Sequence, residues 1–127
     1  MKPQTGAFLD KSRELLDQAG TMLEVGLTDA AGRTAYLAGL HAAQALIFER
    51  SGRTIRRHRV VRNELWRLTK NDQRFDPALQ AFLGRAYGLK EIADYETGPD
   101  SHISDELARS TVETAWRFVD VIAGSLA

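Results

Sequence analysis

The spacing of apolar residues along the whole chain most strongly limits what it can fold into. In five segments apolar side chains recur at the i, i+3, i+4, i+7 positions that form one face of a helix. No segment alternates apolar and polar residues as a half-buried strand would. The pattern predicts an all-α fold, an antiparallel up-and-down bundle of four to five helices in a single domain covering residues 1–127.

Local stop and start signals predict where these helices begin and end. Gly26 and Gly52 are natural stops after the first two segments. The clearest start is Asp76-Pro77, an acid that can cap a helix followed by proline at the first helical position. Ser104 is expected to cap the last helix. The expected helices cover about residues 5–25, 28–51, 57–70, 77–97 and 104–126.

The second segment differs from the others because it is rich in alanine and glycine. Small side chains allow neighbouring backbones to approach closely, so this segment is predicted to be the central helix of the bundle. Thr28 or Asp29 is expected to cap its beginning, because both residue types accept hydrogen bonds from free amide groups.

Composition excludes several classes of site. The chain has no cysteine, and its three histidines are not spaced as metal ligands, so neither a metal nor another cofactor is expected. The apolar runs are too short to span a membrane, and residues 1–6 lack the apolar core of a signal peptide. These features predict a cytoplasmic protein that does not associate with a membrane.

Charge is unevenly distributed although the net charge is zero. Residues 50–70 contain eight basic residues and one acid, whereas residues 91–127 contain eight acids and two basic residues. Arg56, Arg57, Arg59 and Arg62 are therefore expected to form a cationic face that binds the phosphates of RNA. The alternative is that the two regions neutralise each other, within one fold or across a dimer.

Lys90 breaks the apolar face of the fourth helix. At 100° per residue it lies about 40° from the centre of the face formed by Leu79, Leu83 and Ala86. Asp94 follows one turn later, at a distance that permits an ion pair. A charged pair on such a face is expected either to line a functional cleft or to extend from the core edge into water.

The second and third helices carry the other candidate binding residues. Arg33 and Tyr36 share one side at the start of the second helix, and Arg33 is expected to reach toward Asp94. His41 is predicted to point inward, as a satisfied core histidine or a binding residue. His58 begins the basic helix, where a solvated face is the alternative to phosphate contact.

Three motifs occur in an order that resembles the HEPN superfamily. Residues 33–38 (RTAYLA), 41–46 (HAAQAL) and 89–95 (LKEIADY) follow one another, with Gly52 and His58 between the last two. The order is similar to small stand-alone bacterial and archaeal members with an R-x-x-Y-A, H-A-A-x-A-L, R-x-x-A-D-Y pattern. The resemblance covers about residues 9–126.

The resemblance implies a dimeric helical bundle, encoded in many cases beside a minimal nucleotidyltransferase as a toxin–antitoxin-like pair. Active members resemble metal-independent endoribonucleases that use an arginine followed by a histidine. Here Lys90 replaces the arginine and Tyr95 stands at the histidine position, so the catalytic motif is degenerate. Lysine lacks the two-pronged guanidinium, and tyrosine is a weak base at neutral pH.

Together these features predict a homodimer that binds RNA or a nucleotide within such a system. Two alternatives remain: a non-catalytic protein partner of a minimal nucleotidyltransferase, and a metal-independent ribonuclease toxin.

Overall fold

The computed structural model describes all 127 residues and contains five helices and no strand. The helices are α1 (Pro3–Glu24), α2 (Thr28–Ser51), α3 (His58–Thr69), α4 (Pro77–Tyr95) and α5 (Asp105–Leu126). The prediction of an all-α bundle is confirmed, and each helix begins and ends within a few residues of its expected position. None of the helices has the length and apolar character needed to cross a bilayer.

Helix α2 is the centre of the bundle and contacts the four other helices. Its alanines at positions 31, 35, 38, 42, 43 and 45 are completely buried. At Gly39 the crossing with α4 is so close that an added methyl carbon would lie 2.4 Å from the ring of Phe82. The small residues therefore determine which helix is central, as their distribution predicts.

Two of the three predicted helix N-caps are present, and the third is not. Asp76 accepts a hydrogen bond from the amide of Leu79, and Ser104 accepts one from the amide of Leu107. The predicted cap of α2 by Thr28 or Asp29 is wrong, because α2 begins without a side-chain cap. Asp29 lies inside the first turn, and its carboxylate accepts a hydrogen bond from the distant amide of Ile103 at 2.7 Å instead.

Helix α3 is attached to the bundle along one narrow face. Val61 and Leu65 are its buried apolar residues, and α2 is the helix that α3 contacts most. Its contact with α4 is slight, so the two helices leave a groove between them. One side of that groove carries basic residues of α3, and residues of α4 between Leu79 and Tyr87 line the other side.

Candidate functional site

Three aromatic rings from three different helices meet where α2, α3 and α4 converge. The hydroxyl of Tyr36 on α2 lies 2.9 Å from Nδ1 of His58, the first residue of α3. The His58 ring stacks on Tyr87 of α4, with ring centroids 3.9 Å apart and planes 13° from parallel. The Tyr36 and Tyr87 rings also meet edge to face at 5.5 Å. His58 is therefore held both by a hydrogen bond and by a flat aromatic surface.

The protonation state of this cluster follows from burial. Tyr36 is 3% exposed, and burial raises its pKa to about 12, so its hydroxyl keeps its proton. His58 is the only hydrogen-bonding partner of that hydroxyl, so Tyr36 donates and Nδ1 accepts. Burial, and next the charge of Arg62, lower the pKa of His58. The ring is thus neutral at neutral pH, with its proton on Nε2.

A second cluster lies beside the first, at the carboxyl end of α4. The carboxylate of Asp94 forms salt bridges with two cations. Its Oδ2 lies 3.0 Å from Nζ of Lys90, and its Oδ1 lies 2.9 Å from Nε of Arg33 on α2. The hydrogen bond to Asp94 raises the pKa of Lys90, and the bonds to Lys90 and then the charge of Arg33 lower that of Asp94. Both contacts expected for Asp94 are confirmed, although neither establishes a function.

Lys90 lies at the rim of the core rather than within it. Its side chain is 21% exposed, so the stem covers apolar surface while the ammonium group stays paired at the edge. The ammonium group also lies 5.9 Å from the ring centre of Tyr87 and 5.5 Å from that of Tyr95. Both contacts fall within the range of cation–π interactions, so Lys90 links the Asp94 ion pair to the aromatic cluster.

A strongly basic cleft lies beside the aromatic cluster. Arg57, Arg59 and Arg62 line an open cleft of about 790 Å³ together with His58 and Tyr87. None of these arginines forms an ion pair with an acid of the same chain. The acidic carboxyl-terminal half therefore does not neutralise them by direct contact within one fold. Three unpaired cations in one cleft are suited to bind a polyanion.

The remaining expected site residues lie at varying distances from this cleft. Arg56 is exposed in the connection before α3 and does not line the cleft. Tyr95 is 72% exposed and touches the cluster only through Lys90. His41 is partly buried; it stacks on Phe8 and hydrogen-bonds to Gln44, away from the other site residues.

The sequence did not single out Tyr87, which supplies the surface on which His58 rests. Tyr87 precedes Lys90 by three residues and Glu91 by four, so all three share one side of α4. The carboxylate of Glu91 raises the pKa of Tyr87. The position of an aromatic residue one turn before Lys90 could therefore have indicated Tyr87 as a site residue from the sequence. Its pairing with His58, 29 positions away in the chain, was not visible locally.

The chain contains no group of three or more side chains that could hold a metal ion. The arrangement instead offers an imidazole N–H, an ammonium group and three guanidinium groups, which are all donors to an anion.

Comparison with known proteins identifies the fold. The model of the HEPN domain family matches residues 5–125. No curated protein matches the sequence significantly. The family match extends from the first turn of α1 to the last turn of α5 and includes every residue of both clusters. The chain belongs to the HEPN domain family.

Proposed function

We propose that this HEPN-family protein binds RNA or a nucleotide by its phosphate groups in the cleft between α3 and α4, with its catalytic motif degenerate. The observation that carries the proposal is the set of unpaired cations, Arg57, Arg59 and Arg62, arranged around a His58 that Tyr36 and Tyr87 hold in place. The locked Nε2–H of His58 adds a neutral donor to these charges.

The beginning of α3 supports an anionic ligand for a second reason. A helix amino terminus carries partial positive charge and free amide groups, which acids or capping side chains normally satisfy. Here the capping position is occupied by Arg57, which provides no side-chain acceptor, and the first turn contains no acid. Placing Arg57 and Arg59 there adds positive charge to positive charge. A bound phosphate would relieve this repulsion and accept hydrogen bonds from the free amides.

Binding without the usual family catalysis fits the chemistry of the individual residues. His58 uses Nδ1 to accept the Tyr36 proton and presents a protonated Nε2, so it donates to a phosphate more readily than it removes a proton. Tyr95, at the histidine position of active members, is exposed and too weak a base at neutral pH. Lys90 lies beside the cleft and adds a point charge to it, without the paired donors of an arginine.

Replacement of Lys90 by methionine tests this proposal. We expect Lys90→Met to fold with nearly unchanged thermal stability, because Asp94 keeps Arg33 as a partner and methionine fills similar apolar space. Binding should weaken by about two- to fivefold, because Lys90 lies beside the cleft, next to Tyr87, and contributes its charge over a distance rather than by a direct hydrogen bond. Thermal melts should be run beside fluorescence anisotropy titrations with labelled single-stranded RNA and with ATP. Lys11→Met, on the exposed side of α1, is the matched control.

The outcomes of this experiment separate the alternatives. Unchanged binding by a folded Lys90→Met protein would remove Lys90 from the site, and unchanged binding by His58→Ala as well would end the proposal for this cleft. Cleavage of labelled RNA in the presence of EDTA, lost in His58→Ala, would instead favour the ribonuclease alternative. No binding of either ligand would favour the role of a non-catalytic protein partner.

We also propose that the protein is a homodimer, assembled through the groove between α4 and α5. This groove has a volume of about 430 Å³, and its apolar lining includes Leu89, Ile92 and Leu107. Leu107 is 45% exposed, which is high for a leucine beside an apolar groove. A two-fold contact would cover the same groove on both copies.

Sedimentation velocity at tens of micromolar tests the dimer. We expect a dimer for the wild type and a folded monomer for Leu107→Glu, because the contact would desolvate the new carboxylates in a mainly apolar groove at a cost that pairing with Arg85 would not offset. Val25→Glu adds the same charge at an exposed position outside the groove and should remain dimeric. A monomeric wild type would contradict this proposal and leave the phosphate site untouched.

A minimal nucleotidyltransferase partner and a toxin–antitoxin-like role remain proposals that the family resemblance supports. Co-purification with the product of an adjacent nucleotidyltransferase gene would test them.

A further inference from the structure

A second cleft lies farther along α3, on the side away from His58. Its volume is about 230 Å³, and Phe75, Leu79 and Leu83 form a buried apolar floor. The walls carry polar amides and one aromatic ring, from Asn63, Gln80 and Trp66. Trp66 is 53% exposed, which is unusual for the residue type with the largest apolar side chain. An exposed indole beside two amide side chains is not explained by packing of the fold.

The two clefts are parts of one groove between α3 and α4. Arg62 and Asn63 line both of them, so the two clefts adjoin along α3. The guanidinium of Arg62 lies over Gly84 of α4, where an added methyl carbon would be 3.1 Å from Cζ. Glycine at this position therefore lets Arg62 lie against the α4 backbone at the junction of the clefts.

We propose that this groove binds single-stranded nucleic acid several nucleotides long, and that Trp66 stacks on one base at its far end. The inference rests on the proposed function and specifies the class of ligand. His58 and Trp66 are separated by eight helical positions, about 12 Å along the axis of α3. Successive bases of a stacked strand lie about 3.4 Å apart along the helix axis, so the distance between His58 and Trp66 corresponds to about three to four stacked nucleotides.

The composition of the groove favours an unpaired strand over a duplex and over an acidic peptide. Proteins that bind single strands combine a basic groove for the backbone with aromatic rings that stack on bases. In a duplex those base faces are already stacked on their neighbours and cannot reach Trp66. An acidic peptide would pair with the arginines but would gain nothing specific from an indole and two neutral amides.

Oligouridylates of increasing length, from a mononucleotide to about eight nucleotides, test the inference. We expect affinity to rise with length until both clefts are filled. Trp66→Ala should weaken binding of the longer oligomers by about 5- to 100-fold and leave binding of UMP unchanged. Trp66→Phe should restore part of the affinity, since a smaller ring still stacks. Because Trp66 is exposed, both variants should fold, which circular dichroism checks.

A direct readout comes from Trp66 itself. The chain has two tryptophans, so Trp116→Phe leaves Trp66 as the sole indole and also serves as the matched control. In that protein, long oligouridylates should quench fluorescence and UMP should not.

Each possible result supports or overturns the inference. If affinity does not increase beyond the mononucleotide, or if Trp66→Ala binds long oligomers like wild type, the inference fails while phosphate binding in the cleft beside His58 stands. Equal or tighter binding of duplex RNA, or of decaglutamate, with the same dependence on Trp66 would also overturn it. No binding of any nucleotide or oligomer would overturn the proposed function together with this inference.

Discussion

Replacing Gly39 with alanine is expected to lower the free energy of unfolding by about 1–3 kcal/mol. The added methyl carbon would lie 2.4 Å from the Phe82 ring and 3.3 Å from a methyl group of Leu83. Phe82 is 3% exposed and packs on Phe118 with ring centroids 5.0 Å apart, so its ring can move away only by disturbing that packing. The gain of about 1 kcal/mol that alanine normally brings to a helix interior should not offset this overlap.

A second glycine provides the matched control. Gly20 lies inside α1, and an added methyl carbon there would meet nothing within 4 Å. Gly20→Ala should therefore raise the free energy of unfolding by roughly 0.5–1 kcal/mol through helix propensity alone. Urea unfolding followed by circular dichroism measures both variants. A Gly39→Ala protein at least as stable as wild type would mean that α2 and α4 lie farther apart than described here.

The fold was predictable because its determinants are local. Apolar residues recur at helical spacing in every helix, and Gly52, Asp76 and Ser104 act within one turn of the backbone that they end or begin. The central position of α2 was also predictable, since its run of small residues allows the neighbouring helices to approach it closely. In both cases the information needed lies within about 20 consecutive residues of the sequence.

The failure at Asp29 shows where local reasoning stops. An acid at the start of a helix normally accepts hydrogen bonds from the free amides of its own first turn. Asp29 instead binds the amide of Ile103 and the ring of His102, more than 70 positions away, and so fixes the connection between α4 and α5. Which amide donates a hydrogen bond to Asp29 depends on how the helices pack, and the local sequence around Asp29 does not contain that information.

The candidate site was predictable in part for the same reason. The Lys90–Asp94 pair follows from i, i+4 geometry, and the reach of Arg33 to Asp94 was inferred from its place at the start of α2. The stacking of His58 on Tyr87 joins two helices that barely touch elsewhere, so neither segment indicates it alone. Long-range contacts of this kind determine the tautomer of His58 and therefore the chemistry available to the site.

Removal of four arginines is expected to have the largest effect on ligand binding. The variant replaces with alanine the residues Arg56, Arg57, Arg59 and Arg62. All four are exposed, and none forms a salt bridge within the chain, so their charges are available to phosphate groups. We expect affinity for single-stranded RNA to fall at least about 100-fold at 50 mM salt, because the three arginines of the cleft and the neighbouring Arg56 are all lost.

The salt dependence of binding should change with the affinity. Each phosphate neutralised on a single strand contributes about −0.7 to the slope of log affinity against log salt, so four contacts give about −2.8. Wild-type affinity should then fall roughly 50-fold between 50 and 200 mM salt. The variant should show a nearly flat dependence. Filter binding or anisotropy across that range measures both slopes.

Stability should respond in the opposite direction to binding. Arg57 and Arg59 flank the positive end of α3, so their removal relieves repulsion in the protein without ligand. The variant is therefore expected to melt at the same temperature as wild type or slightly higher. Lys11→Ala combined with Arg13→Ala removes two exposed charges from α1 and should leave the salt slope close to wild type. Salt-insensitive binding of equal strength by wild type and the four-arginine variant would mean that this surface does not bind RNA phosphates, and would leave an acidic protein partner as its ligand.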